Sequence, residues 1–174
     1  MTRLRRIDAV TTEFAEAAER HLDDVHAFLV YLTGDRTVAE DLTAETFARA
    51  LERWRRFDPS RGSVRAWLCQ LARSTALDHF RADERRRRRE GRFAAAEPRE
   101  GDGPVFGEGL SPELEHALAR LSAAEREVVA LRVVLELECD VAARVLGISA
   151  TACSTRLSRA LQKLQKEVSA GVAA

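Results

Sequence analysis

Seven side chains near the carboxyl end have the types and the spacing to read a polyanion. Thr151, Ser154, Thr155, Arg156, Ser158, Arg159 and Lys163 recur within a stretch that holds no carboxylate from Ala150 to Lys166. Hydroxyl, guanidinium and ammonium groups donate hydrogen bonds to base edges and phosphate oxygens, so the chemistry they suit is recognition of duplex DNA. The intervening Cys153, Leu157, Ala160, Leu161 and Leu164 form an apolar stripe at helical spacing. That pattern predicts one amphipathic helix with its polar face outward.

The elements that must hold this helix precede it directly. Val141, Val145 and Leu146 give a short helix one apolar face. Gly147 stands where a helix ends in a left-handed residue, Ile148 can pack back, and Ser149 is a good N-cap for the helix that follows. Upstream, Ser122 and Glu125 have the spacing of a capping box at the head of LSAAEREVVALRVV. Ser111-Pro112-Glu113 starts another helix, with Ser as cap and Pro at the first position. Helix, tight turn and helix with a basic outer face predict a helix-turn-helix whose last helix enters the major groove.

A second nucleic-acid surface is written in the charge distribution. The formal net charge is zero, yet residues 1–48 carry 5 basic and 10 acidic side chains while residues 49–92 carry 14 and 6. The acidic excess returns over 93–143, with 4 against 11, and the basic excess over 144–174, with 5 against 1. The two basic blocks suit a polyanion, and the acidic blocks suit a basic protein surface. The run Arg85–Arg89 suits nonspecific phosphate contact.

Ala, Leu, Glu and Arg dominate and the few Gly and Pro are clustered, which predicts an all-α chain of two small domains. Residues 1–10 read as a loose basic start. Phe14, Leu22, Val25, Leu29 and Leu32 recur at helical spacing from Thr12, and Gly34-Asp35 ends that helix. A second helix is predicted from about Thr37 to Phe57, with Val38, Leu42, Leu51 and Trp54 inward. Asp58 to Ser63 reads as a loop rich in turn residues. A third helix runs from about Val64 past Arg81 and buries Trp67, Leu68, Leu71, Ala72 and Leu77. Both tryptophans fit apolar stripes and read as core. Residues 90–110 are rich in Gly, Pro, Ala and Glu and read as a flexible linker. The domains are therefore 10–89 and 111–170.

Catalysis finds no footing. There is no nucleophile–base pair, phosphate loop or metal-ligand spacing, so no enzyme activity, metal or cofactor is expected. Cys69, Cys139 and Cys153 read as small reduced core residues, with redox sensing as the alternative reading, and His21, His26, His79 and His116 as structural or surface groups. No apolar run reaches the length of a membrane span and the amino terminus lacks a signal pattern, so the expected location is the cytoplasm, without membrane insertion.

Taken in order, the segments GDRTVAEDLTAETFARALERW, FDPSRGSVRAWLCQLARSTALDHFR, LSAAEREVVALRVV, VLGIS and STRLSRAL resemble the extracytoplasmic-function sigma factors, two-domain initiation subunits of bacterial RNA polymerase. The resemblance covers nearly all of residues 25–165. It implies a region-two-like helical bundle and a region-four-like helix-turn-helix joined by the linker. It also implies roles. Asp41, Glu45 and Phe47 match the family's docking surface for the clamp helices of the polymerase core, whose flap is a further contact. Asp58, Ser60, Arg61, Gly62 and Ser63 match the loop that captures a flipped base of the minus-ten element. Arg73, Ser74, Asp78, His79 and Arg81 match the helix lying against the melted strand. Thr151, Ser154, Thr155, Arg156, Ser158, Arg159 and Lys163 match the minus-thirty-five reader. The implied partners are polymerase core, promoter DNA and an anti-sigma factor that clamps both domains, the free protein being a monomer.

Several residues depart from the family pattern. Ala44 stands where Gln is usual, Ser74 where Asn is usual, and Ser154 where Lys is common. Glu138, a poor N-cap, begins the short helix. Two other readings fit the residues: a conventional helix-turn-helix regulator, and a sigma-like module that only binds protein. As a random coil, a linker of about 20 residues averages about 25 Å between its ends. Promoter elements two helical turns apart lie about 70 Å apart. The free protein is therefore expected to favour compact arrangements and to bind promoters poorly without core.

Overall fold

Gly34 and Asp35 divide the first two helices. Gly34 adopts φ 67°, a conformation that favours glycine, and closes helix α1, Thr2–Thr33. Asp35 then caps helix α2, Arg36–Arg53, its carboxylate accepting from the Val38 amide at 3.0 Å. These positions belong to a computed structural model that describes residues 2–89, 106, 107 and 109–172, with side chains described over 12–170 of that set. Short 3-10 turns at Trp54–Arg56 and Pro59–Arg61 lead to helix α3, Val64–Arg89. Helices α4, Pro112–Ala119, and α5, Ala123–Val129, follow. A π-helical turn at Ala130–Val134 continues α5. Helices α6, Cys139–Leu146, and α7, Ala150–Val172, complete an all-α fold with no strand among the described residues.

Three readings of the first helices change. Helix α1 starts at Thr2, not Thr12, because nothing between them breaks a helix and extending one costs little once it has nucleated. Helix α2 stops at Arg53 and tightens into the 3-10 turn, where Trp54 turns its ring onto Phe14 at 5.4 Å and Phe57 at 5.5 Å. Leu22 and Leu51, read as inward, are exposed. Both lie at the edge of or outside the stripe that three packed helices can cover. In α2 the inward places go instead to Thr43 and Thr46, whose hydroxyls donate to the carbonyls of Ala39 and Leu42 at 2.7 Å. Donation to the preceding turn lets a threonine sit in a core without an unpaired donor.

Helices α1, α2 and α3 pack pairwise around Phe14, Val25, Phe28, Leu29, Leu42, Leu68 and Cys69. Trp54 and Trp67 are half-buried and packed on this core, their rings 5.9 Å apart. Helices α4, α5 and α6 pack on α7 around Leu118, Leu121, Val128, Leu131, Val145, Leu146, Cys153 and Ala160.

The two halves are joined. Helix α1 packs on α5 and on the π-helical turn, and α3 packs on α6. Val30 and Tyr31 of α1 are buried as well, in the same core cluster as residues of the second half. The expected linker, 90–110, lies outside the described residues except for Phe106, Gly107, Gly109 and Leu110. Phe106 is 2% exposed and fills the seam, its ring 5.9 Å from that of Tyr31 and beneath the Arg126 guanidinium, also at 5.9 Å.

Candidate nucleic-acid interface

The caps place helix α7. Ser122 and Glu125 form the capping box, with the Glu125 amide donating to Ser122 Oγ at 3.3 Å and the Ser122 amide to Glu125 Oε2 at 2.9 Å. Gly147 has φ 68° and ψ 34°, the left-handed turn between α6 and α7. Ser149 accepts from the Ala152 amide at 3.1 Å and so starts α7. Glu138 begins α6 without any side-chain cap bond. The local chemistry of these residues therefore sets the angle at which α7 leaves the turn.

On α7, Thr151, Ser154, Thr155, Ser158, Arg159 and Lys163 are exposed and Arg156 is half-buried. Cys153 and Ala160 are buried and Leu157 and Leu164 half-buried, whereas Leu161 is exposed at the edge of the stripe. Lys163 has a structural partner. Its ammonium meets Glu125 Oε1 at 2.7 Å and ties α7 to the capping box. Burial acts to raise the Glu125 carboxyl, but Lys163 and Ser122 outweigh it and hold the group below the ordinary glutamate range.

The 58–63 loop uses much of its polarity on itself. Asp58 Oδ1 accepts from the Ser60 amide at 2.9 Å and from Ser60 Oγ at 2.7 Å. Those two bonds, followed by the charge of Arg61, hold its carboxyl below the usual range. Gly62 adopts φ 151° and ψ 174°, which the absence of a side chain permits. Ser63 accepts from the Ala66 amide at 3.2 Å and opens α3. Beside the loop is a cleft of about 490 Å³ walled by Phe57, Asp58, Arg61 and Trp67 from the first half and Arg144 of α6 from the second.

Along α3, Ser74, Asp78, His79 and Arg81 are exposed. Arg73 is not free, since its Nε donates to Glu127 of α5 at 3.0 Å across the seam. Asp41 and Glu45 are exposed on α2, while Phe47 is half-buried with its ring 6.5 Å from Phe14. Arg49 joins two of the expected surfaces. It pairs with Glu45 at 2.5 Å and with Asp78 at 3.1 Å, and also donates to Thr75 Oγ1 at 3.3 Å. In the basic run, Asp83 pairs with Arg86 and Arg87, and Glu84 with Arg88, so part of its charge is neutralised locally.

Sequence reading passed over Arg49, Phe106 and Glu127. Signals for them existed. Arg49 follows Glu45 by one helical turn, Phe106 is an isolated aromatic among Gly and Pro, and Glu127 is a carboxylate inside an apolar run.

Comparison with known proteins points the same way. The Sigma-70 region 2 family model matches residues 17–87, and the Sigma-70, region 4 model matches residues 111–164. The ECF RNA polymerase sigma factor SigC of Mycobacterium tuberculosis is 37% identical over 142 residues, covering 81% of this chain and 75% of that protein. The ECF RNA polymerase sigma factor BldN of Streptomyces coelicolor is 31% identical over 156 residues, or 88% of this chain, which spans only 59% of BldN. Among solved structures, the sigma factor RpoE in complex with the anti-sigma factor NepR from Bartonella quintana superposes with a TM-score of 0.76 at 25% identity, covering 90% of this chain and 97% of that one.

Proposed function

Because the chain belongs to the extracytoplasmic-function sigma factors of bacterial RNA polymerase, we propose that it directs the polymerase core to particular promoters and assists their opening. One observation carries this reading. A helix-turn-helix with an exposed face of Thr151, Ser154, Thr155, Ser158 and Arg159 shares one chain with a three-helix bundle whose third helix is basic.

In this reading residues 10–89 hold the core and minus-ten surfaces, 90–110 connect, and 111–170 read the minus-thirty-five element. Helix α7 enters the major groove with Thr151, Ser154, Thr155 and Ser158 toward base edges, and Arg156, Arg159 and Lys163 toward bases or phosphates. Asp41 and Glu45 face the basic clamp helices, with Phe47 supporting that face from the aromatic cluster. The 58–63 loop and its cleft receive a base drawn from the stack. Such a base costs a few kcal/mol to extrude, which contacts in the pocket must recover. Ser74, Asp78, His79 and Arg81 lie along the opened strand. The reaction chemistry belongs to the polymerase, and the protein works where polymerase and chromosome are, in the cytoplasm.

The packed seam fits a protein that waits in a closed form. Arg73 is held by Glu127, and Arg144 walls the cleft that a base would enter. A promoter and the seam thus compete for the same residues, and core must separate the halves before both elements are read. An anti-sigma factor that stabilises the closed form would keep the protein silent. The superposition on a sigma factor held by its anti-sigma factor supports that control.

Transcription in vitro from a pool of random promoters, with bacterial core polymerase and with or without this protein, tests the reading. Enriched templates with two spaced elements are expected. Binding to core without enrichment would reduce the role to protein binding, and failure to bind core would leave a conventional DNA-binding regulator.

A further inference from the structure

Two of the three cysteines meet inside the helix-turn-helix. Cys139 is the first residue of α6, and its Sγ lies 3.3 Å from Ser154 Oγ and 3.5 Å from the Ala150 carbonyl, over the first turn of α7. Cys153 lies on that same turn, directly beside Ser154, and is fully buried next to Cys139. Cys139 is half-buried, so a small oxidant reaches one sulfur while the other waits beneath it. Burial and the neighbouring sulfur raise the Cys153 thiol, with the positive charges of Arg132 and Arg156 acting against them. Cys69 offers an internal contrast: it is buried among α1 and α3 side chains, and burial pushes its thiol up to about 12.

We propose that Cys139 and Cys153 are a peroxide-reactive dithiol, and that the disulfide they form changes how α7 reads DNA. The Cys139 thiolate attacks one oxygen of hydrogen peroxide. The O–O bond breaks, hydroxide leaves and takes up a proton as water, and the sulfur becomes a sulfenic acid. Cys153 gives up its proton and attacks that sulfur, the S–O bond breaks, and a second water departs. Two thiols and one peroxide thus give one disulfide and two waters. An S–S bond of about 2.05 Å is much shorter than a thiol–thiol contact, so the start of α6 is drawn onto the first turn of α7. The Cys139–Ser154 hydrogen bond is lost in the same movement, and Thr151, Ser154 and Thr155 ride on the turn that shifts. In a reducing compartment the bond is transient, as suits a signal. The oxidation stands apart from the promoter-reading role, and only its consequence for DNA rests on it.

Mass spectrometry of the full chain after peroxide treatment under native conditions tests the oxidation. Trypsin separates the two cysteines, since Arg144 lies between them, so a disulfide joins peptides 133–144 and 145–156 with the loss of two hydrogens. That crosslink is expected, reversed by dithiothreitol, with Cys69 in peptide 66–73 unreacted. In Cys153→Ala the sulfenic acid on Cys139 should persist and be trapped by dimedone. Oxidation of Cys139 to sulfinic acid without a crosslink would overturn the proposal, as would equal reaction of Cys69, the mark of general unfolding. For the consequence, oxidised and reduced protein are compared on a duplex selected with the reduced form. About tenfold weaker binding is expected, the scale of one lost base contact. A crosslinked protein that binds within twofold of the reduced one would sink the link to DNA reading.

Discussion

Arg73 of α3 and Glu127 of α5 form an ion pair at 3.0 Å between the two halves of the chain, with the Glu127 side chain 7% exposed and that of Arg73 27%. One partner is a residue matched by resemblance to the melted strand, and the other belongs to the half proposed to read the distant element. Glu127→Gln keeps the shape and removes the charge. It should loosen the seam by about 1 kcal/mol, the value of a charged hydrogen bond reduced for the solvent beside Arg73. Promoter binding by the protein without core should then strengthen several-fold, read by fluorescence anisotropy. Unchanged affinity would mean that the seam does not restrain the free protein.

Phe106 should matter more to the closed form than the ion pair. Its ring lies between Tyr31 of the first half and Arg126 of the second. Phe106→Ala removes a fully buried aromatic, for which about 3 kcal/mol is typical. Small-angle scattering should show a larger radius of gyration while circular dichroism keeps its helical signal. A lowered melting temperature with no expansion would place the loss inside one domain instead.

The capping box makes the second half acid-sensitive. The folded Glu125 carboxyl titrates below its ordinary value of 4.5. Its contribution to stability is therefore complete above that value and is lost as pH falls through the lower folded one. The Lys163 partner is largely exposed, so the contribution is small, about 0.5 kcal/mol. Lys163→Ala should flatten the acid limb of a melting-temperature profile, and an identical limb in both proteins would count against the pair.

Replacing residues 58–63 with Gly and Ser removes the Asp58–Ser60 turn and the Arg61 charge. Permanganate footprinting of the opened strand should vanish, while copurification with core should remain. Loss of both would point to a folding defect, since Ser63 also starts α3.

The face of α7 should divide into readers and anchors. Ser158→Ala is expected to relax sequence preference at one position, at about 1–3 kcal/mol for a good base contact. Arg159→Ala, if it meets phosphate, should weaken all sequences alike and lower the salt dependence by about one unit. Selection from a random pool with each variant distinguishes the two.

Local rules made much of this protein legible. Ser111, the Ser122–Glu125 box, Gly147 and Ser149 each act on their own few neighbours, so their types and spacing alone place four helix ends. The stripe of Cys153 and Ala160 gives α7 its buried side by the same logic, since periodicity is a property of one helix. What one helix cannot know is how far a neighbour extends over it. Leu22, Leu51 and Leu161 are exposed at stripe edges, and Thr43 and Thr46 are buried because their hydroxyls bond the turn behind. The seam lies further from the reach of pattern. Tyr31, Arg73, Phe106 and Glu127 sit far apart in the chain, and their partnership comes from packing α1 and α3 against α5 and α6. Sequence by itself determined the helices, their caps and the polar face of α7, because those depend on neighbours a turn away. Tertiary structure decided which of those polar groups are free and which are held, because ion pairs and aromatic contacts form only where distant segments are brought together.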